Sequence, residues 1–455
     1  YIFESDKVEF AEGLKDEQIP VFAMRDITSV SLQGVGEIDW RTQNKINTGS
    51  HFSAPGGAGV HTINNMVGAT DGSRQPCLTS ETNYQKIKAS IVSGLGSPNS
   101  TEHVVAVSQM DNSNACNCSE CYKVLQEEGA QSGAWIRLLN RLLAELKPDY
   151  PNLYLQTLSY TYTNEPPKAT KPDSNVIIQY APWCFCWRHS FGDESCNQNY
   201  TGESDGYLNA DAKRQLEEWT KIANRVWVYD YSLNVSHLLA PYMNFDVIRA
   251  NAQFFADNGV ERYFVQGQIN GTRTTGFESL RQYLIAKVLW DPYMTEEEFE
   301  EYIDEFFIAY YGPGGVYLKE YFNILREGFR DMPQHHMYPY SYPFEFVRVI
   351  DFITYGDQIE EWFDLASLQA EASAQVTRIE LEKLSFTWLK LSARYDYMYT
   401  WGDEETRAQY VEEYNDLCQS LSLKGMVLAE GFGLAYRLDY PPAMWTWAYS
   451  NAPER

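Results

Sequence analysis

Two aspartates stand where a carboxylate pair could work on a glycosidic bond: Asp111, in Gln109-Met110-Asp111-Asn112, and Asp230, in Tyr229-Asp230-Tyr231. Glycoside hydrolysis uses one carboxyl as acid and a second as base or nucleophile, and each of these acids follows a short apolar run. Asp26 is a third acid in such a position. Around them, Arg25, Asp26, His61, Asn112, Tyr160, Tyr162, Trp183, Tyr231, His237 and Gln266 form a set suited to a neutral polyhydroxylated ligand. Rings stack on sugar faces, while amides and carboxylates bind hydroxyls. A phosphate site would ask for Lys, Arg or helix N-termini. Several of these residues also have a purely structural reading: acids after strands cap loops, His61 and His237 satisfy loop starts, and Trp183 and Tyr231 pack as core.

Eight cysteines fall partly into two clusters, Cys116-x-Cys118-x-x-Cys121 and Cys184-x-Cys186, the second followed by His189 and Cys196. Disulfides or buried free thiols are the preferred reading, because no motif supplies a regular four-ligand spacing. The alternative is a structural zinc site assembled from both clusters. No metal is assigned to the catalytic site, and no cofactor is expected. No Gly-x-Gly-x-x-Gly or Gly-x-x-x-x-Gly-Lys-Ser/Thr turn follows a strand, and no Gly-x-Ser-x-Gly elbow is present.

Positioning these residues calls for a strand–helix repeat. Short β-rich runs are expected over residues 21–24, 60–63, 103–109, 153–160, 175–180, 225–229 and 261–266, with amphipathic helices between them. Nearly continuous apolar strands imply a parallel sheet buried on both sides. Seven repeats, with an eighth strand unrecognised, predict an α/β fold: a (β/α)8 TIM-like barrel whose strand ends line the active-site mouth. After Trp290 the pattern becomes helical, through Thr295–Tyr311 and the break Gly312-Pro313-Gly314-Gly315. The expected division is 1–18 as a linker or the tail of a preceding domain, 19–292 as the barrel and 293–455 as a C-terminal all-α domain.

Composition bounds the function. Among 455 residues, 62 acids against 36 Lys and Arg give a net charge of −26, which speaks against a nucleic-acid partner. Hydrophobic residues at 44% are ample for a core, and no apolar run approaches the length of a membrane span. Aromatic residues at 15% exceed what a core needs, and tyrosines serve wet, ligand-facing surfaces. Oligomeric state has no signature in the sequence.

Several stretches resemble the bacterial family numbered 4838 among domains of unknown function. They are Val60-His61-Thr62, Gln75-Pro76-Cys77-Leu78-Thr79, Val107-Ser108-Gln109-Met110-Asp111-Asn112 with the first cysteine cluster, and Thr157-Leu158-Ser159-Tyr160 with Pro166-Pro167. Tyr229-Asp230-Tyr231 through Ser236-His237, and Leu280-Arg281-x-Tyr283 through Trp290-Asp291-Pro292, complete the series in order over roughly residues 15–330. The family includes glycoside hydrolase family 163, whose members are endo-β-N-acetylglucosaminidases that cut the core of complex N-glycans. The resemblance therefore implies a secreted, cell-surface or periplasmic bacterial enzyme with a carbohydrate substrate. Two routes are open to it: substrate-assisted catalysis served by Asp111 and Asn112, or conventional acid/base catalysis by Asp111 and Asp230. Where the family pattern has Phe-Glu-Gln-Gly, this chain has Phe264-Val265-Gln266-Gly267. The loss of that Glu is expected to remove an acid from the barrel mouth. It motivates one alternative, a non-catalytic glycan-binding protein with a degenerate site; a separate alternative is a structural or surface-adhesion module whose helical domain carries the partner contacts.

Overall fold

The computed structural model describes residues 17–28, 37–47, 59–183, 185–196, 208–234, 239–267, 276–332, 336–339, 341 and 343–396, with positions 408, 412 and 416. Six parallel strands form its one described sheet: β1 (Met24–Thr28), β2 (His103–Ala106), β3 (Leu153–Ser159), β4 (Val176–Tyr180), β5 (Arg225–Tyr231) and β6 (Arg262–Gln266). Their order is β1-β6-β5-β4-β3-β2, so the first strand pairs with the last and the sheet curls as a barrel does. Closure is incomplete among the described residues, with β1 and β2 as the two edges.

Alternation along the strands separates two environments. Val105, Leu155, Ile178, Val228 and Val265 pack outward into one large core with the helices. Their neighbours face the lumen in two layers. Val104, Ile177 and Trp227 make the lower layer with Met24 and Tyr154. Leu158, Tyr160 and Ala181 make the upper layer with Trp183, Tyr229 and Tyr231.

Residues 60–63, expected as a strand, do not form one. His61 takes a left-handed φ of 56°, and the chain turns at once into the helix α2 described below. Thr62 decides this locally: its hydroxyl donates to the Ala106 carbonyl and accepts from Ser108 N–H. Ile63 N–H then donates to the Ser108 carbonyl. The segment thus hangs from the end of β2 by loop contacts, and its apolar residues fill the core beneath. The first strand is also displaced, because Phe22 is spent as a buried anchor before the ladder starts at Met24.

Helices wrap the sheet in chain order: α1 (Glu37–Gln43), α2 (Ile63–Val67), α3 (Glu81–Leu95), α4 (Ser119–Glu128), α5 (Ser132–Leu146), α6 (Asn209–Ile222), α7 (Phe245–Asp257) and α8 (Glu278–Trp290). Four more follow: α9 (Glu296–Tyr311), α10 (Gly315–Arg330), α11 (Val349–Gln369) and α12 (Ser373–Asp396). Thr295 caps α9 in a reciprocal box with Glu298. Gly315 permits the tight α9–α10 corner, since a Cβ there would lie 2.0 Å from the Phe307 carbonyl oxygen. The later helices share the barrel's core: Phe277, Phe307 and Phe322 meet edge to face or tilted at 5.2–5.8 Å. In α12, Ser385 donates to the Leu239 carbonyl and Glu382 accepts from Phe277 N–H.

Candidate active site at the barrel mouth

The loop after β2 carries Asp111, and a single side chain shapes it. Gln75 donates to the carbonyls of Met110 and Asn112, at 2.9 and 2.8 Å, and accepts from Met110 N–H. Asn112 is consumed in the same scaffold: its oxygen accepts from Asn114 N–H and its amide donates to the Gly72 carbonyl. Asn112 is therefore a loop builder. Gln75 belongs to the Gln75-Pro76-Cys77 stretch, yet nothing in its spacing marks it as a scaffold residue, because an amide's partners are invisible until the loop is closed.

Asp111 is exposed, and its Oδ1 accepts the Tyr160 hydroxyl at 2.9 Å. Tyr160 directly follows β3 and is itself buried. His61 stands beside this pair, with its ring 6.1 Å from that of Tyr160. Its Nδ1 contacts the Gln109 carbonyl at 2.7 Å, so Nδ1 carries the proton and Nε2 is the ring's other polar atom. His61 and Thr161 both hold left-handed φ, 56° and 49°, on two adjoining loops of the mouth. Such backbone costs about 1–3 kcal/mol per residue and collects at functional sites.

An aromatic wall faces the lumen opposite. Trp183 meets Tyr231 edge to face at 4.7 Å, and Tyr231 lies 5.1 Å from Tyr229. The Tyr229 hydroxyl donates to Gln266 Oε1 at 2.6 Å. Burial pushes the phenol pKa values of Tyr229 and Tyr231 upward, so both remain neutral hydrogen-bonding groups.

Asp230 is not part of this wall. Neighbours along a strand face opposite sides, and Asp230 lies between the lumenal Tyr229 and Tyr231. Its carboxylate accepts from the Tyr263 hydroxyl at 2.7 Å, Trp187 Nε1 at 3.3 Å and Tyr231 N–H at 2.8 Å. Burial raises its pKa to about 6. Asn244, Asn251, Val265 and Ile285 border the small cavity beside it, on the helix side of the sheet. Val265 pairs with Asp230 in register and is buried on that same side. The expectation that Val265 strips an acid from the mouth is therefore corrected: position 265 points behind the sheet.

The remaining positions divide the same way. Asp26 faces the lumen but is held by Arg41 at 2.9 Å and Arg262 at 3.3 Å. Arg25 faces outward, donating to the carbonyls of Phe22 and Lys45 against the Trp290 ring. The Tyr162 hydroxyl accepts from Trp135 Nε1 of α5, away from the mouth. His237 lies outside the described residues. The structure thus gathers Asp111, Tyr160, His61, Trp183, Tyr231 and Gln266 at the open end of the sheet, and takes Asp230, Arg25 and Tyr162 out of it.

A curled parallel sheet whose strand ends carry an acid, a histidine and an aromatic wall defines a (β/α)-barrel-type protein, the fold of many glycoside hydrolases. The chain belongs to the family described as a domain of unknown function, DUF4838, whose pattern matches residues 3–323. Among solved structures, a family GH115 4-O-methyl-α-glucuronidase with specificity for decorated arabinogalactans superposes with a TM-score of 0.53 at 9% identity, over 92% of this chain. This chain spans 61% of that enzyme's length. A GH138 enzyme targeting pectin rhamnogalacturonan II covers 88% of this chain and 78% of its own at 10% identity, with a TM-score of 0.35. CpGH84B covers 90% and 75% at 11% identity, with a TM-score of 0.38. No curated protein matches the sequence. No described helix is long and apolar enough to cross a membrane.

Proposed function

We propose that this chain is a glycoside hydrolase acting on a GlcNAc-containing glycan, in the manner of an endo-β-N-acetylglucosaminidase on complex N-glycans. The observation that carries the reading is Asp111, a solvent-accessible carboxylate held by the Tyr160 hydroxyl beside His61 and facing an aromatic wall. A conventional two-carboxylate scheme through Asp111 and Asp230 has lost its second member to the far side of the sheet. Substrate assistance needs only one. The sugar's 2-acetamido oxygen attacks the anomeric carbon, and the glycosidic C–O bond breaks. A proton goes to the leaving oxygen, and water later opens the cyclic intermediate. In this scheme Asp111, positioned by the Tyr160 hydroxyl, accepts the acetamido N–H and makes its oxygen a better nucleophile. His61 Nε2 carries the proton in the same scheme. The family resemblance extends the proposal to a secreted, surface or periplasmic bacterial protein.

The second reading is a glycan-binding protein that does not cleave. It is favoured by Asp26 being neutralised by two arginines and Asp230 being buried, which leaves the mouth with few acids. Incubation with a complex N-glycoprotein, followed by mass spectrometry of the supernatant, separates the two. Released glycan ending in a single reducing GlcNAc supports hydrolysis. Tight glycan binding with no release supports the lectin-like reading and sinks the first.

A further inference from the structure

Among the described residues, which do not include Cys184, the cysteine-rich stretches resolve into two separate four-residue groups, each completed by a residue distant in sequence. Cys77 joins Cys116, Cys118 and Cys121, and His336 joins Cys186, His189 and Cys196. Within each group the four candidate donor atoms lie within 4.8 Å of one another.

The spacings are those of an ion-centred tetrahedron. A Zn–S bond of about 2.3 Å places the sulfurs of a tetrahedral site about 3.8 Å apart. Cys77 Sγ lies 3.7 Å from Cys118 Sγ and 3.6 Å from Cys121 Sγ, far beyond the roughly 2.05 Å of a disulfide. With Zn–N near 2.0 Å, a mixed sulfur–nitrogen edge comes to about 3.5 Å. Cys186 Sγ and His189 Nδ1 are 3.3 Å apart, and Cys196 Sγ and His336 Nδ1 are 3.7 Å apart.

The surroundings suit thiolates. Cys118 is the N-cap of α4, and Cys121 lies in the first turn of that helix. The Thr79 hydroxyl lies 3.2 Å from Cys77 Sγ and 3.3 Å from Cys121 Sγ, where it can donate to a bound sulfur. In the second group, Arg188 N–H donates to Cys186 Sγ. Asn209 ties the same loop by accepting from Cys186 N–H and donating to the His189 carbonyl.

We propose that the chain binds two structural zinc ions, one held by four cysteines (Cys77, Cys116, Cys118, Cys121) and one held by two cysteines and two histidines (Cys186, His189, Cys196, His336). Four protein ligands close each coordination sphere, so neither ion has an open position for chemistry. Both brace the mouth from outside it. The four-cysteine site pins the loop that carries Asp111, five residues before Cys116, to the stretch carrying Gln75. The mixed cysteine–histidine site ties the loop after β4, which carries Trp183 and Trp187, to the segment after α10. There the Trp187 N–H already donates to the Met337 carbonyl at 2.8 Å.

The test is the metal content of the intact chain, purified with zinc present and then dialysed free of loose ions, measured by elemental mass spectrometry. Two zinc ions per chain are expected. X-ray absorption should show sulfur at about 2.3 Å and nitrogen at about 2.0 Å in a ratio of about three to one, the average over an all-sulfur and a mixed site. Cys118→Ser, at an exposed sulfur, and His189→Ala, at a half-buried ring, should each lower the count to one. If a variant fails to fold, the wild-type count and absorption spectrum still decide. Fewer than two ions in the wild type overturns the proposal. So does a chain whose clustered cysteines resist alkylation until reduced, the mark of disulfides.

Discussion

Whether an aspartate after a strand can meet a sugar turns on the side of the sheet it faces. Asp111 leaves β2 in a loop and reaches the Tyr160 hydroxyl, whereas Asp230 lies within β5 and is turned toward Tyr263 and the helices. That distinction is readable in principle, because Asp230 and Tyr231 are adjacent in one strand and cannot share a face. The same reasoning separates Arg25 from Asp26. Asn112 cannot be read this way, because its amide is spent on Gly72 only once the loop has closed. Asp230→Asn is expected to keep turnover within a few-fold of the wild type in a glycan-release assay. His61→Ala should lower kcat by about 100-fold or more, the usual loss when a positioned proton carrier is removed. Unchanged kcat in that variant would remove His61 from the chemistry.

Among the elements, the helices from α5 onward and five of the strands were legible because their apolar period is long or their β-branched runs are unbroken, whereas α1 to α4 carried no helix expectation. The strand expected at residues 60–63 was not, because Thr62 trades ladder bonds for loop bonds to Ala106 and Ser108. An ion pair adds to the ladder between β1 and β6: Asp26 of β1 holds Arg262 of β6, which is 6% exposed at its side chain. Asp26→Ala takes that carboxylate away from a buried guanidinium and should destabilise the fold by about 3 kcal/mol, read by denaturant unfolding. An effect below about 0.5 kcal/mol would mean the pair contributes nothing to closure. At the α9–α10 corner, Gly315→Ala forces a Cβ against the Phe307 carbonyl and should cost about 1–3 kcal/mol.

For the molecule as a whole, the acidic composition predicted a charged surface but concealed several carboxyls that are nearly or wholly buried, Asp230 and Glu382 among them. Burial raises Asp230 to about 6 and Glu382 to about 7. Glu382 accepts from Phe277 N–H and the Tyr311 hydroxyl, joining α12 to α8 and α9. A carboxyl whose folded pKa lies above its unfolded value binds its proton more tightly when folded. The stability this contributes is complete below about pH 4 and is lost as pH rises through about 6 and 7. Asp230→Asn should flatten the lower part of that decline, between about pH 4 and 6, by up to about 3 kcal/mol. Identical slopes in mutant and wild type would place Asp230 in water. The helices beyond Trp290 were legible as helices, but their sharing of one core with the barrel was not, since periodicity reports a buried face and not its partner.

If Asp111 and not Asp230 carries the chemistry at the mouth, kcat for release of glycan from a complex N-glycoprotein must separate the two acids. The measurement compares wild type, Asp111→Asn and Asp230→Asn, each shown to be folded. Asp111→Asn is expected to fall by about 100-fold or more while Asp230→Asn stays near wild type. Near-normal release by Asp111→Asn, or abolished release by a folded Asp230→Asn, would contradict it.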